Sequence, residues 1–541
     1  MLTRLSGGRV IDPAHGRDEI GDLWMRDDRI VAAPAGHIAA DETHDVAGKI
    51  VMAGAIDVHS HIAGSHVNTA RLLLPEQPDT DVEAHAKKAV GPGFETGCLY
   101  AAMGFTTVVE PAVAPTYALH AHLELADIPI IDKATLAVLG NDDFLLGLLQ
   151  RRENAEVVRD YVAWTLATSR ALGIKVINAG GAAAFKRNAR AFSLDDVVLD
   201  YGVSSRAIVK ALQHAVHALG VPHPLHVHCN NLGLAGNVET ALATIAAAEG
   251  VPLHLAHVQF YGYGKDGPRG FSSGAARLAE AVNGARNVTV DVGQVMFGPT
   301  VTISSDVLRQ FNARHGARPR KWLIADGDGN GGGVVPYRYR PEDFYNAVQW
   351  AVGLELFLLI DDPRRVFFTT DHPNGAPFTA YPDLLALLMS RDLRAEWLAK
   401  LSPAAVEVTT LPSIAREYSL NEIATMTRAA PARLLGLGDR GHLAPGGRAD
   451  VAVYSEGTDK AAMFRSAHLV FKDGALVVRD GRVVRHHWGR ALALSPEHDR
   501  AIDRRMNAYC EDRYGLPAAF MQVPANAIDR PEPFEQVPCA P

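Results

Sequence analysis

Eight short apolar runs alternating with alanine- and leucine-rich stretches predict an α/β protein, a (β/α)8 TIM-like barrel. Two further observations complete the class. Both chain ends share a texture of short strand-like pieces and tight turns, which predicts a small β-sandwich domain built from the two ends together. Histidine, lysine and aspartate also recur at the same end of several of the apolar runs, where a barrel of this kind carries its site.

The strand candidates, in order, are IVMAGAIDVHSH, GFTTVVEPA, IPIIDKATLAV, IKVINAG, PLHVHCN, PLHLAHVQF, NVTVDVGQV and RVFFTTDHP. The N-terminal pieces RLSGGRVID, DLWMRDDRIVAA and THDVAGKIVM match GHLAPGGRADVAVY, AHLVFKDGALVVRDG and RVVRHHW, with KDG and RDG as turn signals. These patterns divide the chain into a β-sandwich domain of residues 1–54 plus 433–490, a barrel over 55–432, and a C-terminal tail, 491–541, that contacts partners. An interruption from about 300 to 365 separates the last two strands. Its ADGDGNGGG run lacks the GK[ST] ending of a phosphate-binding loop and is expected to be a flexible loop over the barrel mouth.

At 541 residues the chain is too long for one compact core. Hydrophobic residues at 48% and charged residues at 21% describe a globular protein. No apolar run reaches the roughly 20 residues of a membrane span, and MLTRLSGGRVIDP lacks the apolar core of a signal peptide; a cytoplasmic protein with no membrane role is expected. A net charge of −8 argues against nucleic-acid binding. The four cysteines lie far apart and predict neither a zinc knuckle nor an iron–sulfur cluster. Only 12 of the 53 basic residues are lysine, so a lysine in apolar surroundings stands out.

Alternation along a strand puts His59 and His61 on one face. The fourth strand carries Lys175 between apolar residues, the fifth ends in His226-Val-His228-Cys-Asn-Asn, the sixth in His254-Leu-Ala-His257, and the eighth in Thr-Thr-Asp371. Each alone has an ordinary explanation: a snorkelling lysine, strand-end histidines, an aspartate N-cap. Histidines 226 and 254 are assigned to packing or hydrogen bonding inside the barrel. Together, six metal-compatible residues at one end of five strands point to a metal site. Four imidazoles and a carboxylate suit zinc-like divalent ions. A second ion nearby needs a bridging anion, which Lys175 supplies if its amine reacts with carbon dioxide to form a carbamate. Desolvation favours the neutral amine that can react. Asp371 can then take the proton from water attacking a carbonyl, giving metal-assisted hydrolysis of an amide-type bond.

These residues, with GRVID near the start, MGFTT after the first helix, TRAAPARLLGL at 427–437 and GHLAPGGRADVAVY, resemble the amidohydrolase superfamily over nearly the whole chain to about residue 490. Finer motifs, HSHIAGSHVNTAR, GIKVINAGG, PLHVHCNNLG and LAHVQFYGYG, resemble the A subunits of formylmethanofuran dehydrogenase and of the formyltransferase/hydrolase complex of methylotrophic bacteria. Dihydroorotases and hydantoinases share the ligands without HIAG-x-x-VN or HCNNLG. The resemblance implies two divalent ions held by His59, His61, carboxylated Lys175, His228, His257 and Asp371, with proton transfer at Asp371. It implies as substrate an N-formyl group on a methanofuran- or methylofuran-type carrier with a glutamate-rich tail, and other subunits of a one-carbon complex as partners.

Asn68, Arg71, Asn230 and Asn231 follow the strand ends and are expected to orient the formyl group or carrier. His66 is expected in a loop near the substrate. The loop NARHGARPRK (312–321) offers Arg314, Arg318, Arg320 and Lys321 to an acidic tail, or is simply a solvated charged loop. The arginine-over-lysine and alanine-rich composition leans toward the bacterial hydrolase rather than the dehydrogenase running the same site toward formyl formation. A free-standing dihydropyrimidinase-like cyclic amidase and an inactive scaffold subunit remain the alternatives.

Overall fold

The computed structural model describes residues 1–541 except 37, 74–92, 190, 305–322, 325–332, 532 and 541. Its eight barrel strands are β1 (Ala55–Asp57), β2 (Phe105–Val113), β3 (Asp132–Leu139), β4 (Gly173–Ile177), β5 (Leu225–His228), β6 (Leu253–Leu255), β7 (Val288–Asp291) and β8 (Val366–Phe367). Each pairs in parallel with the next, from Ala55↔Phe105 round to Val290↔Val366. A parallel bridge between Ser60 and His372, with the His61 N–H donating to His372 O at 2.9 Å, joins the end of β8 back to that of β1. β3 and β4 are buried at every residue, as a parallel sheet covered on both faces requires.

The chain ends form one mixed nine-stranded sheet. Lys49–Ala53 pairs antiparallel with Val451–Ser455, uniting N- and C-terminal pieces, whereas Ala55–Asp57, two residues on, belongs to the barrel. The KDG and RDG signals are real hairpin turns: Asp473–Gly474 and Asp480–Gly481 all have φ near +50 to +75°, the backbone of a type I′ turn. At Gly474 a Cβ would fall 1.8 Å from the Asp27 carbonyl oxygen, so only glycine fits.

The segment after residue 490, expected as a partner-contacting tail, is folded onto the barrel. β9 (Ala491–Ala493) pairs in parallel with Lys133–Ala134 of β3, and β10 (Phe534–Gln536) pairs with β9. The helix Ala501–Tyr514 between them buries Ile502, Met506 and Cys510. β4 pairs with β3 only from Leu136 onward, so the first half of β3 has a free ladder for β9 to take.

In the interruption before β8, Gly298–Ser304 pairs antiparallel with Gly333–Tyr339. Val301, Ile303 and Val334 pack against Val67 and Ala70 of helix α1 (Ser65–Leu73). The basic loop 312–321 and all but the last glycine of ADGDGNGGG lie outside the described residues. Among the described residues no helix is long and apolar enough to cross a membrane.

Charge ties the three parts together. Lys472 of the small sheet, completely buried, lies 3.1 Å from Asp132 at the start of β3 and 2.9 Å from Asp450. Arg440 spans Asp132 (2.9 Å) and Glu535 of β10 (2.8 Å). Arg448 joins Glu535 (2.8 Å) to Asp473 (3.1 Å).

Candidate active site

Barrel register sets the first layer of the site. Pairing aligns Lys175 with His226, His226 with His254, and His254 with Thr289, across β4 to β7. Residues two apart on a strand share a face, so His228 stands above His226. β1 ends at Asp57, whose Oδ1 accepts the His59 N–H at 3.0 Å and whose Oδ2 accepts the Tyr100 hydroxyl at 2.8 Å. His59 and His61 thus lie past the last paired residue of β1, held by this carboxylate and by the bridge to β8.

Each of these two rings faces two carboxylates. His59 Nδ1 is 2.9 Å from Asp291 Oδ2 and Nε2 is 3.1 Å from Asp371 Oδ1. His61 repeats the pattern, with Nδ1 3.0 Å from Glu110 Oε1 and Nε2 3.3 Å from Asp371 Oδ1. The hydrogen-bond network assigns the ring protons to the Nδ1 atoms, donated to Asp291 and Glu110. Both Nε2 atoms then turn toward Asp371, the side of each ring from which a metal can be ligated. Lys175 Nζ lies 3.4 Å from His59 Nε2. The His228 and His257 rings meet edge-on with centroids 4.7 Å apart.

Six residues drawn from five strand ends therefore meet, as their positions along the sequence predict. His61, Lys175, His228, His257 and Asp371 open onto one cavity with apolar walls including Val138 and Leu232, and His59 lies directly beneath. His59, His257 and Asp371 each present a ligand atom within 4.8 Å of the others. Asp371 Oδ1 and His257 Nδ1 are buried without a hydrogen-bond partner. Orphaned buried atoms of this kind cost about 1–3 kcal/mol each, and divalent cations bound at these positions would remove that cost. Nitrogen and carboxylate donors fit such an ion.

Electrostatics agree. Burial lowers the pKa of His61, but Glu110 and Asp371 outweigh it and raise the ring to about 9, so this corner attracts positive charge strongly. Burial pulls the Lys175 amine below the ordinary lysine range against the opposing Asp371, Asp291 and Glu110. Beneath the site, burial holds His226, His254 and His223 as neutral imidazoles. Histidines 226 and 254 pack inside the barrel, with His226 Nε2 3.2 Å from His59 Nδ1 and His254 Nε2 donating to Asp291 at 3.0 Å.

The amidohydrolase family model matches residues 42–485, most of the chain. The chain belongs to the amidohydrolase family. This amidohydrolase is 51% identical to the A subunit of the formyltransferase/hydrolase complex Fhc of Methylorubrum extorquens, with both chains covered completely. It is 38% identical to the protein FwdA of Methanocaldococcus jannaschii, over 90% of each chain. Among solved structures it superposes with a TM-score of 0.94, at 52% identity and full coverage of both chains, on a crystal structure of the Methylorubrum extorquens complex FhcABCD with methylofuran. D-aminoacylase shares the fold at a TM-score of 0.53 and 17% identity, over 91% of this chain and 99% of its own.

Four residues of the amidohydrolase expected near the substrate are not among those lining the cavity. Arg71 donates through Nη1 to Asn68 Oδ1 (3.3 Å) and through Nη2 to Ile62 O (2.8 Å) and Thr96 Oγ1 (3.1 Å). Asn230 donates to Ser205 Oγ at 2.8 Å, and Asn231 accepts the Phe192 N–H at 3.0 Å. These side chains brace the loops after β1 and β5, because loop backbone beside a cavity needs partners of its own. His66 does line the cavity, from the first turn of α1 rather than a loop.

Two buried carboxylates beside the site have no counterpart among the residues expected from the sequence. Glu110 accepts from His61 Nδ1, Ile62 N (2.6 Å) and Ala63 N (2.9 Å). Asp291 accepts from His59, His254 and the His257 N–H (2.6 Å). Their signal is present in GFTTVVEPA and NVTVDVGQV: a lone acid near the end of a buried parallel strand is too costly without a charged or hydrogen-bonded partner.

Proposed function

We propose that this chain hydrolyses an N-formyl amide on a methylofuran-type carrier to formate and the free amine, as the A subunit of a formyltransferase/hydrolase complex. The observation that carries the reading is a filled constellation of His59, His61, Lys175, His228, His257 and Asp371 around one cavity. It sits in a chain matched end to end by the A subunit of such a complex.

His59, His61 and Asp371 would hold one divalent cation, zinc being the ion these donors suit, and His228 and His257 a second, with carboxylated Lys175 between them. When bound, such a pair supplies Lewis-acid polarisation of the formyl oxygen and lowers the pKa of water. Carboxylation of Lys175 joins its neutral amine to carbon dioxide, forming the N–C bond and releasing one proton. Burial supplies the neutral amine.

Asn374 Nδ2 donates to Asp371 Oδ2 at 3.0 Å, which fixes the carboxylate plane and leaves Oδ1 facing the cavity. Asp371 Oδ1 takes the proton of the attacking water and returns it to the departing nitrogen. The water oxygen bonds to the formyl carbon, the C–N bond breaks, and its electron pair leaves on the protonated amine. The apolar walls limit competing water.

Lys175→Ala is expected to lower formate release from formylated carrier by at least ~10²-fold and to reduce metal content from near two ions per chain. Formate assays with elemental analysis of the purified protein check this. Full activity in the variant would sink the carbamate-bridged reading. For the dehydrogenase alternative, a co-purifying molybdenum or tungsten subunit that generates formate would be the favouring observation. The cyclic-amidase alternative has only local support, a 62-residue match to dihydroorotase. Ordinary turnover of hydantoin or dihydrouracil would revive it. The filled ligand set weighs against an inactive scaffold.

A further inference from the structure

β7 contributes none of the six residues assigned above, yet it presses on ligands from two other elements and on Asp371. Asp291, completely buried, holds His59 Nδ1 at 2.9 Å through Oδ2 and the backbone N–H of His257 at 2.6 Å through Oδ1. His257 has a φ of +34°, a left-handed backbone uncommon for any residue but glycine. Two residues beyond Asp291, Gly293 passes so close that a Cβ there would lie 2.4 Å from His257 Cβ and 3.3 Å from Asp371 Cβ. The remaining neighbour of His59 Nδ1, His226 Nε2 at 3.2 Å, is an imidazole and does not supply the negative charge of the carboxylate.

We infer that Asp291, assisted by the space Gly293 leaves, is a positioning residue that couples the two cation positions. One rigid carboxylate sets the imidazole of His59, in the half shared with His61 and Asp371. The same group sets the main chain of His257, in the half shared with His228. The inference rests on the binuclear reading proposed above. It has a consequence that a generic second layer of hydrogen bonds lacks: loss of Asp291 loosens both halves together, whereas loss of a single ligand empties one.

The test uses the full chain as wild type, Asp291→Asn, Gly293→Ala and His228→Ala, stripped with chelator and titrated with cobalt(II) in bicarbonate buffer. Visible absorption and equilibrium dialysis give the two affinities without any activity assay. Asp291→Asn is expected to weaken both by roughly 10–100-fold, and His228→Ala to abolish one. Gly293→Ala, whose methyl displaces His257, is expected to weaken at least the ion on that side. Wild-type affinities in Asp291→Asn, or a loss confined to one ion, would overturn the coupling. If Asp291→Asn fails to fold, unchanged affinities in Gly293→Ala overturn the role of β7. A wild-type chain that binds a single cobalt ion would instead refute the binuclear reading itself.

Discussion

Asp371→Asn is expected to lower formate release by ~10³-fold while leaving the chain folded, a loss of about 4 kcal/mol of transition-state stabilisation. Asparagine has the same shape, and it tolerates the φ of +51° at this position better than most residues. The contacts that place the loop survive the change, since the residue's own N–H still donates to Thr369 Oγ1 at 2.9 Å and its carbonyl still accepts from Asn374 N. What disappears is the anionic Oδ1 between His59 and His61, both as ligand and as proton acceptor. Turnover measured beside metal content separates the two roles. A variant retaining its metals but not its rate has lost the acceptor. Turnover within tenfold of wild type would remove Asp371 from proton transfer.

The largest effect on stability is expected from Lys472→Met. Three carboxylates, Asp132, Asp450 and Asp473, converge on this buried ammonium at 3.1, 2.9 and 3.5 Å. Methionine fills the space and leaves them without it, and breaking a buried pair from one side costs ~3–5 kcal/mol. Sign and pH window follow from linkage. In the wild type, burial pushes Asp132 up but Lys472 and Arg440 outweigh it and hold it at about 2, below its unfolded value. Its contribution is therefore present above roughly pH 4 and is lost as the pH falls toward 2. In Lys472→Met, Asp450, which burial already raises, loses its chief counter-charge and rises further. The folded variant then binds more protons than the unfolded chain, and its deficit relative to wild type grows from pH 5 to pH 8. Thermal unfolding followed by circular dichroism at both pH values checks this. A midpoint within a degree of wild type at pH 8 would show that the seam does not depend on the pair.

The six candidate ligands were legible because each follows a buried apolar strand, where an imidazole, amine or carboxylate is expensive and needs a reason. Glu110 and Asp291 obey the same logic but do not repeat as a spaced motif, and their partners lie 49 and 232 residues away in the chain. The asparagines and Arg71 differ for the opposite reason. Polar residues after strand ends are needed equally by a substrate and by loop backbone, and here Ser205, Phe192, Ile62 and Thr96 claim them.

Periodicity, turn chemistry and strand-end residues by themselves determined the barrel, the return of both chain ends to one sheet and the identity of the metal-compatible residues, since those properties are local or repeat along the chain. Tertiary structure alone decided three things. It selected which carboxylate orients which imidazole, it laid β9 from the expected tail on the free half of β3 with β10 beside it, and it set the Lys472 seam between sheet and barrel. All three depend on register and on pairing between distant residues, and a one-residue slip along a strand would reverse every side chain involved.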